Sequence, residues 1–232
     1  MRLDRFLSNN LLISRKLAHQ HIKAGRIKVD GQYASVASLH IGDSNQVSLD
    51  DVPVAERTQL YFMLHKPAGV VSATSDAEHP TVLDLLPAEL AATPDLQIVG
   101  RLDIDTTGLL LLTTDGQWNH RLTSPKHHCG KTYRVTLAEP ISAADIDKLQ
   151  AGLLLKGETK PTLPCQIEMI SPTQVIIHLH EGKYHQVKRM FAAVGNKVLN
   201  LHRTQVGHWQ LPEDLPPGQY RMLAPEAASL ND

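Results

Sequence analysis

The hydrophobic pattern predicts two short helices at the start of the chain. Apolar residues of the first helix recur at helical spacing, at Leu3, Phe6 and Leu7. Ser14 suits the N-cap of a second helix, and Gly25 suits its end. The apolar face of this second helix has four members, namely Leu17, Ala18, His21 and Ile22.

After these helices the hydrophobic period falls to two, which predicts short strands. Ile27 and Val29 alternate with charged residues before a hairpin turn at Asp30-Gly31. A second turn, Gly42-Asp43, precedes a further alternating pair, Val47 and Leu49. The proline and charged residues at 50 to 59 are typical of a linker, so we expect a small domain over residues 1–56.

The rest of the chain, residues 60–232, is expected to be a second domain rich in strands. Strand patterns occur at Tyr61 to Leu64, Val70-Val71, Ile98 to Leu102, Leu109 to Leu112, and in the alternating sets Tyr133/Val135/Leu137 and Val175/Ile177/Leu179. Helices are predicted from Asp115-Gly116 to about Leu122, from Ala143 to Leu153 with Ser142 as N-cap, and from His185 to Val194 before Gly195. The prediction is an α+β protein: a small N-terminal α+β domain, then a mixed, mainly antiparallel sheet with flanking helices.

Composition excludes several classes of protein. The chain has 232 residues, of which 42% are hydrophobic, and its 14 glycines and 14 prolines show no period, which argues against collagen, coiled coil and wholesale disorder. Two cysteines cannot build a disulfide framework. Because no signal peptide or membrane-spanning apolar run is seen, we expect a soluble cytoplasmic protein with no membrane partner.

The net charge of −1 conceals a segregated distribution of charges. Residues 1–31 hold seven Lys/Arg against two acids, and the windows 116–138 and 182–212 hold four and five Lys/Arg with no acid. Clusters of this kind favour binding of a polyanion, because phosphate contacts depend on grouped Lys and Arg side chains. The alternative is chance clustering on a solvated surface.

Several motifs of catalysis and cofactor binding fail on spacing. His180 and His185 are five residues apart, whereas the zinc-protease helix needs four. The run His127-His128-Cys129 offers adjacent ligands that point apart, so a basic loop is the preferred interpretation over a metal site. Dinucleotide-binding and serine-hydrolase motifs are absent from the sequence, as is a phosphate-binding Gly-Lys-Ser/Thr.

One carboxylate remains as a candidate for catalysis. If Gly100 to Asp103 ends a strand, Arg101 and Asp103 share one face. A structural ion pair between them is the alternative interpretation, and Asp105 is interpreted as a turn residue. Lys188 lies about 100° from Val187 around a helix, at the edge of its apolar stripe, so it could reach inward or remain a surface lysine.

The motifs resemble those of the RsuA-type pseudouridine synthases, over nearly the whole chain. GRLDIDTTGLLLLTTDG at 100–116 is similar to the catalytic signature of that family, and residues 1–31 resemble an S4 RNA-binding domain. Four further motifs occur in the family's order: YFMLHKPAGVVSATSD, HPTVLDLLP, SPKHHCGKTYRVTL and EGKYHQVKRMFAAVGN. His65 departs from the pattern, which has Asn before Lys-Pro, and this puts a local loop contact in doubt.

The resemblance implies a cofactor-free isomerisation and assigns roles to six residues. Asp103 matches the essential aspartate, as nucleophile or as base, and Lys188 matches its basic partner. Tyr133 matches the tyrosine that packs on uracil, and Arg101 matches the arginine that fills the space of the flipped-out base. Leu102 and Val187 are expected to form apolar walls. No metal is implied.

The resemblance also implies a partner and leaves rivals open. The version of the motifs is nearest to enzymes of the small ribosomal subunit, which implies uridine 516 of 16S rRNA, naked or in an assembling small subunit, as the substrate of a monomeric enzyme. Phosphate contacts are expected from Arg2, Arg5, Arg15, Lys16, Lys23 and Lys28. The alternatives are a large-subunit 23S rRNA synthase and a noncatalytic S4-type RNA-binding or assembly factor.

Overall fold

The computed structural model describes residues 1–11, 13–42 and 44–224 of the chain. Contacts divide the chain into two compact units, Met1–Gln59 and Leu60–Asp232. Helices and mostly antiparallel sheets make up the fold, so the predicted α+β class is confirmed. No helix within the described ranges is long and apolar enough to cross a membrane.

The first unit packs two helices with a four-stranded sheet. Its elements are α1 (Leu3–Leu11), α2 (Arg15–Lys23), β1 (Ile27–Val29), β2 (Gln32–Tyr33), β3 (Val47–Leu49) and β4 (Val52–Pro53), with strand order β2-β1-β3-β4. The side chain of Ser14 caps α2 by accepting the Leu17 N–H at 3.2 Å, as predicted. Leu17 itself is exposed, so its assignment to the buried face was wrong, whereas Ala18 and Ile22 are buried.

The predicted linker is partly incorrect. Asp50 and Asp51 form a turn, and Val52–Pro53 pairs with β3, so residues 50–53 belong to a hairpin of the first unit. The predicted Gly42-Asp43 turn lies partly outside the described residues, because Asp43 is not among them.

The second unit is built around a nine-stranded sheet. Its strands are β5 (Tyr61–Lys66), β6 (Gln97–Val99), β7 (Thr107–Thr113), β8 (Lys131–Leu137), β9 (Gln166–Ser171), β10 (Gln174–Leu179), β11 (Val198–Val206), β12 (Trp209–Gln210) and β13 (Tyr220–Met222). The order is β13-β5-β7-β11-β8-β10-β9, with β6 paired to β7 and β12 to β11. β7 and β11 run parallel, and the other strand pairs among the described residues run antiparallel.

Helices cover this sheet, and hydrophobic residues fill both of its faces. The helices are α3 (Ala88–Ala91), α4 (Gly116–Thr123), α5 (Ala143–Ala151) and α6 (Gln186–Ala193), with two short 3-10 helices at Val82–Leu85 and Pro125–His127. On β7, Leu110 and Leu112 join one core, while Leu109 and Leu111 join another. All four are fully buried, because side chains alternate across a strand that is covered on both sides.

Some predicted boundaries in the second unit were wrong. The strand predicted over Ile98 to Leu102 ends at Val99, and Val70-Val71 forms only a single bridge at Val71. Helix α5 ends at Ala151, before Gly152. Helix α6 begins at Gln186, because His185 has a left-handed φ of +46°.

Candidate active site

A cavity of about 180 Å³ opens in the second unit. It lies between the loop after β6, the start of β8 and the segment that leads into α6. Five of the six site residues predicted from the sequence line it, namely Arg101, Leu102, Asp103, Tyr133 and Val187. Lys188, the sixth, joins them through an ion pair with Asp103. The structure thus brings together residues that are up to 87 positions apart in the sequence.

Asp103 lies in the loop after β6 and not on the strand. The chain turns at Gly100, whose φ of +72° is a conformation that favours glycine. The Leu102 N–H donates to Ser72 Oγ at 3.0 Å, and the Ser72 hydroxyl donates to the Leu102 carbonyl at 2.9 Å. The prediction that Arg101 and Asp103 share a strand face was therefore wrong, although both line the cavity.

A buried lysine supports the backbone of this loop from below. Lys66 is 0% exposed, and its ammonium donates to the carbonyl oxygens of Pro67, Ile104 and Thr106 at 2.9, 3.3 and 2.8 Å. Burial lowers the pKa of Lys66 to about 8, although the nearby carboxylates oppose the shift. Sequence reasoning missed this contribution, because it depends on contacts across about 40 residues.

Lys188 bridges two carboxylates at the cavity. Its Nζ lies 2.9 Å from Asp103 Oδ2 and 2.6 Å from Asp105 Oδ1. Burial acts to lower the pKa of Lys188, but its hydrogen bonds to both carboxylates raise that pKa above its ordinary value. The same hydrogen bond lowers the pKa of the Asp105 carboxyl. Asp105 does lie in a turn, as predicted, yet it also belongs to this charge cluster.

His185 is a second partner of Asp103 that sequence reasoning missed. Its Nε2 lies 3.3 Å from Asp103 Oδ1. Its ring stacks on the ring of Tyr184 at 3.8 Å between centroids. Neighbouring ion pairs hold this segment, because Glu158 contacts Lys183 at 3.1 Å and Arg189 at 3.0 Å. A charged cluster therefore fixes the chain on either side of His185.

The inner wall of the cavity carries an aromatic ring and two cations. Tyr133 on β8 is 9% exposed and is paired in register with Arg203 on β11. Arg203 is 2% exposed, and its Nε donates to the Leu109 carbonyl at 2.8 Å. Lys131 also lines the cavity, and burial lowers its pKa. The sequence showed Lys131 and Arg203 only as members of basic windows.

The histidine motifs behave as parts of the protein framework. His180 Nδ1 lies 3.0 Å from the His128 carbonyl, which joins the two segments. His65 Nδ1 lies 2.7 Å from the Leu215 carbonyl, and its ring meets that of His202 edge-on at 5.4 Å. Among the residues that the structure describes, no group of three or more His, Cys, Asp or Glu side chains is arranged to hold a metal.

The six basic residues predicted to contact phosphate differ in their surroundings. Arg2 forms an ion pair with Asp4 at 2.8 Å, and Lys28 pairs with Asp51 at 2.5 Å. The other four form no ion pair with a described residue, and three of these are exposed on or beside α2: Arg15, Lys16 and Lys23. Arg5 on α1 is half-buried.

Comparisons with known proteins connect this geometry to a family. The RNA pseudouridylate synthase family model matches residues 60–193, and the S4 domain model matches residues 1–47. The chain is 48% identical to the ribosomal small subunit pseudouridine synthase A of Vibrio cholerae, over 97% of each chain. It is 44% identical to the protein of that name from Haemophilus influenzae, over 96% of each. A crystal structure of a pseudouridylate synthase aligns with a TM-score of 0.72 and 42% identity, over 99% of this chain and 98% of the other.

Proposed function

Because this chain belongs to the RNA pseudouridylate synthase family and begins with an S4 domain, we propose that it converts uridine 516 of 16S rRNA to pseudouridine. The relatives named above carry the words "ribosomal small subunit" in their names, which supports a small-subunit target. The substrate is naked 16S rRNA or an assembling subunit. The reaction moves uracil from an N1 to a C5 linkage without net oxidation, so it requires no cofactor.

The observation that carries the proposal is the position of Asp103. Its carboxylate lies at the edge of a cavity, between Lys188 at 2.9 Å and His185 at 3.3 Å. An ionised carboxylate could attack the sugar or act as a base, and either role is impeded when burial favours the neutral acid. A neighbouring ammonium opposes that effect, which gives Lys188 its role in the proposal.

The second carboxylate lets Lys188 keep a partner during the reaction. The Asp105 side chain is 66% exposed, against 24% for Asp103, so Asp105 remains hydrated while a substrate covers Asp103. When Asp103 engages the sugar, Lys188 can stay with Asp105. Its charge is then never left without a counterion, which would be costly in a desolvated site.

The other cavity residues fit the handling of a flipped base. Tyr133 offers a buried ring for stacking on uracil, and Leu102 and Val187 supply apolar walls. Arg101 is exposed at the same cavity, where it can fill the space in the RNA that the extruded base leaves.

The first unit would supply affinity for folded RNA. The exposed cations of α2, namely Arg15, Lys16 and Lys23, are best suited to phosphate contacts, because they form no ion pair with a described residue. Arg5 can add to them. Arg2 and Lys28 would first have to exchange an aspartate for a phosphate.

The proposal is tested by mapping pseudouridine on both ribosomal RNAs. Cells that lack this gene would be complemented with wild type, Asp103→Asn, or the control Asp147→Asn, which changes an exposed carboxylate on α5. We expect one missing 16S modification that wild type and the control restore and Asp103→Asn does not. The Asn variant should bind 16S rRNA nearly as well as wild type.

The other outcomes separate the alternatives. A missing 23S modification would keep the chemistry and refute the small-subunit target. Turnover by Asp103→Asn would remove Asp103 from its role. No missing site in either RNA would favour the noncatalytic S4-type factor.

A further inference from the structure

Two buried cations line the inner wall of the cavity without a carboxylate partner among the described residues. Arg203 is 2% exposed, and its Nη2 has no hydrogen-bond partner within the described part of the chain. Its Nε is held by the Leu109 carbonyl at 2.8 Å. Lys131 donates to the Cys129 carbonyl at 2.9 Å, so a backbone oxygen, and not a carboxylate, receives its ammonium.

Such a group is unusual in a folded protein. A guanidinium stays charged at all ordinary pH values, and a buried donor without a partner costs free energy. Buried cations are normally paired, so one that faces a cavity indicates an acceptor that arrives with a ligand. The acceptor should carry negative charge, or acquire it, because Lys131 and Arg203 both lie on this wall.

The position of Arg203 relative to Tyr133 suggests which part of the ligand it meets. The two residues are paired in register on neighbouring strands, and both line the cavity. Side chains of such a pair lie on the same face of the sheet. Since Tyr133 is proposed to stack on uracil, the guanidinium lies at the edge of that base, where the carbonyl oxygens are.

We propose that Arg203, assisted by Lys131, binds a carbonyl oxygen of the target uracil and stabilises the negative charge that the ring carries when its bond to the sugar breaks. This inference rests on the proposed isomerase function. When N1–C1′ breaks, its electron pair passes to the ring and spreads over N1 and the carbonyl oxygens. The pair is returned when C5 bonds to C1′, after which C5 loses a proton and N1 gains one. Donors aimed at developing charge are a large source of catalysis.

The variants are Arg203→Met and Arg203→Lys, with Arg134→Met as the matched control. Arg134 is an exposed arginine one residue from Tyr133, so it lies on the opposite face of β8. Loss of one such donor lowers a catalytic rate about 100- to 1000-fold, so we expect that loss in single-turnover rate for Arg203→Met, with RNA affinity little changed. Lys131→Met should show a smaller loss. Arg134→Met should behave as wild type.

A substrate change distinguishes contact with the base from a structural role. The target uridine is replaced by 2-thiouridine or 4-thiouridine, because sulfur accepts hydrogen bonds more weakly than oxygen. One of the two should slow the wild-type enzyme about 10-fold, as expected for weakening a charge-assisted hydrogen bond. In Arg203→Met the same thio substitution should have almost no further effect, because the donor is gone.

Three results would overturn the inference. The wild-type rate could be indifferent to both thio substitutions, which needs no variant to observe. The effects of Arg203→Met and of the thio substitution could multiply, which would make the arginine structural. Arg203→Lys, which keeps a cation if the Met variant does not fold, could also multiply with the thio effect. If the enzyme modifies 23S rRNA instead, the same tests apply to that uridine, so failure of the target assignment is separate.

Discussion

Replacing the buried Lys66 with methionine should remove a rise of stability with pH. The ammonium is 0% exposed and donates to the carbonyl oxygens of Pro67, Ile104 and Thr106. Burial lowers its pKa to about 8, against an ordinary value of 10.5. Methionine has a similar length and no titrating group, so it isolates the contribution of the charge.

The sign follows from the protons bound in each state. Between about pH 8 and 10.5, the unfolded chain keeps the proton on Lys66 and the folded protein releases it. The free energy of unfolding therefore rises with pH, by about 1.3 kcal/mol from pH 7 to pH 9 for this group. Burial raises the pKa of Cys165 to about 11, which acts in the opposite direction. That thiol removes only about 0.4 kcal/mol in the same interval, and equally in wild type and variant.

Urea unfolding followed by tryptophan fluorescence is a suitable assay. Both tryptophans of the chain, Trp118 and Trp209, are buried in the second unit and report its unfolding. The difference between wild type and Lys66→Met should change by about 1.3 kcal/mol from pH 7 to pH 9. The exposed Lys160, changed to Met, serves as the control. A wild-type to Lys66→Met difference that is constant over this pH range would refute the reasoning.

Three shorter predictions concern other parts of the chain. Gly108→Ala should cost about 3 kcal/mol in urea unfolding, because φ is +110° and the added Cβ would overlap the backbone of β11, whereas Gly218→Ala, with open space, should cost about 1 kcal/mol. Ser142→Ala should cost about 1 kcal/mol in the same assay, since it removes the cap on the Asp145 N–H; no loss would contradict this. Lys16→Gln should make the slope of log affinity for 16S rRNA against log salt shallower by about 0.9, and an unchanged slope would exclude a phosphate contact.

The helices could be predicted from sequence because their signals are local. Ser14, Ser142 and Asp115 each act as an N-cap, and a cap contact spans only two or three residues. Strand ends were less predictable. Pro53 argued for a linker, yet it pairs with Ser48 in an edge strand, where a missing N–H is tolerated. Edge pairing is a contact between segments, so composition alone does not reveal it.

The site could be predicted only as far as the motifs reach. Asp103, Tyr133 and Lys188 were proposed because their motifs resemble those of a family, and the structure brings them to one cavity. Asp105 seemed a simple turn residue, because its partner Lys188 is 83 positions away. His185 was sought as a zinc ligand and instead contacts Asp103. Such pairings arise from the order of strands in the sheet, which spacing along the chain does not encode.

The distribution of charge across the cavity is consistent with the direction in which electrons move in the proposed reaction. Breaking the N1–C1′ bond leaves the sugar electron-poor and the uracil electron-rich. In the proposed arrangement the carboxylate of Asp103 faces the sugar, and the cations Lys131 and Arg203 face the base. Arg203 is almost completely buried, whereas Asp103 is partly exposed, so the field between them is directed from the inner wall towards solvent. Fixed charges oriented in this way favour the charge-separated state without reorganising, and they act most strongly when the substrate has displaced water from the cavity.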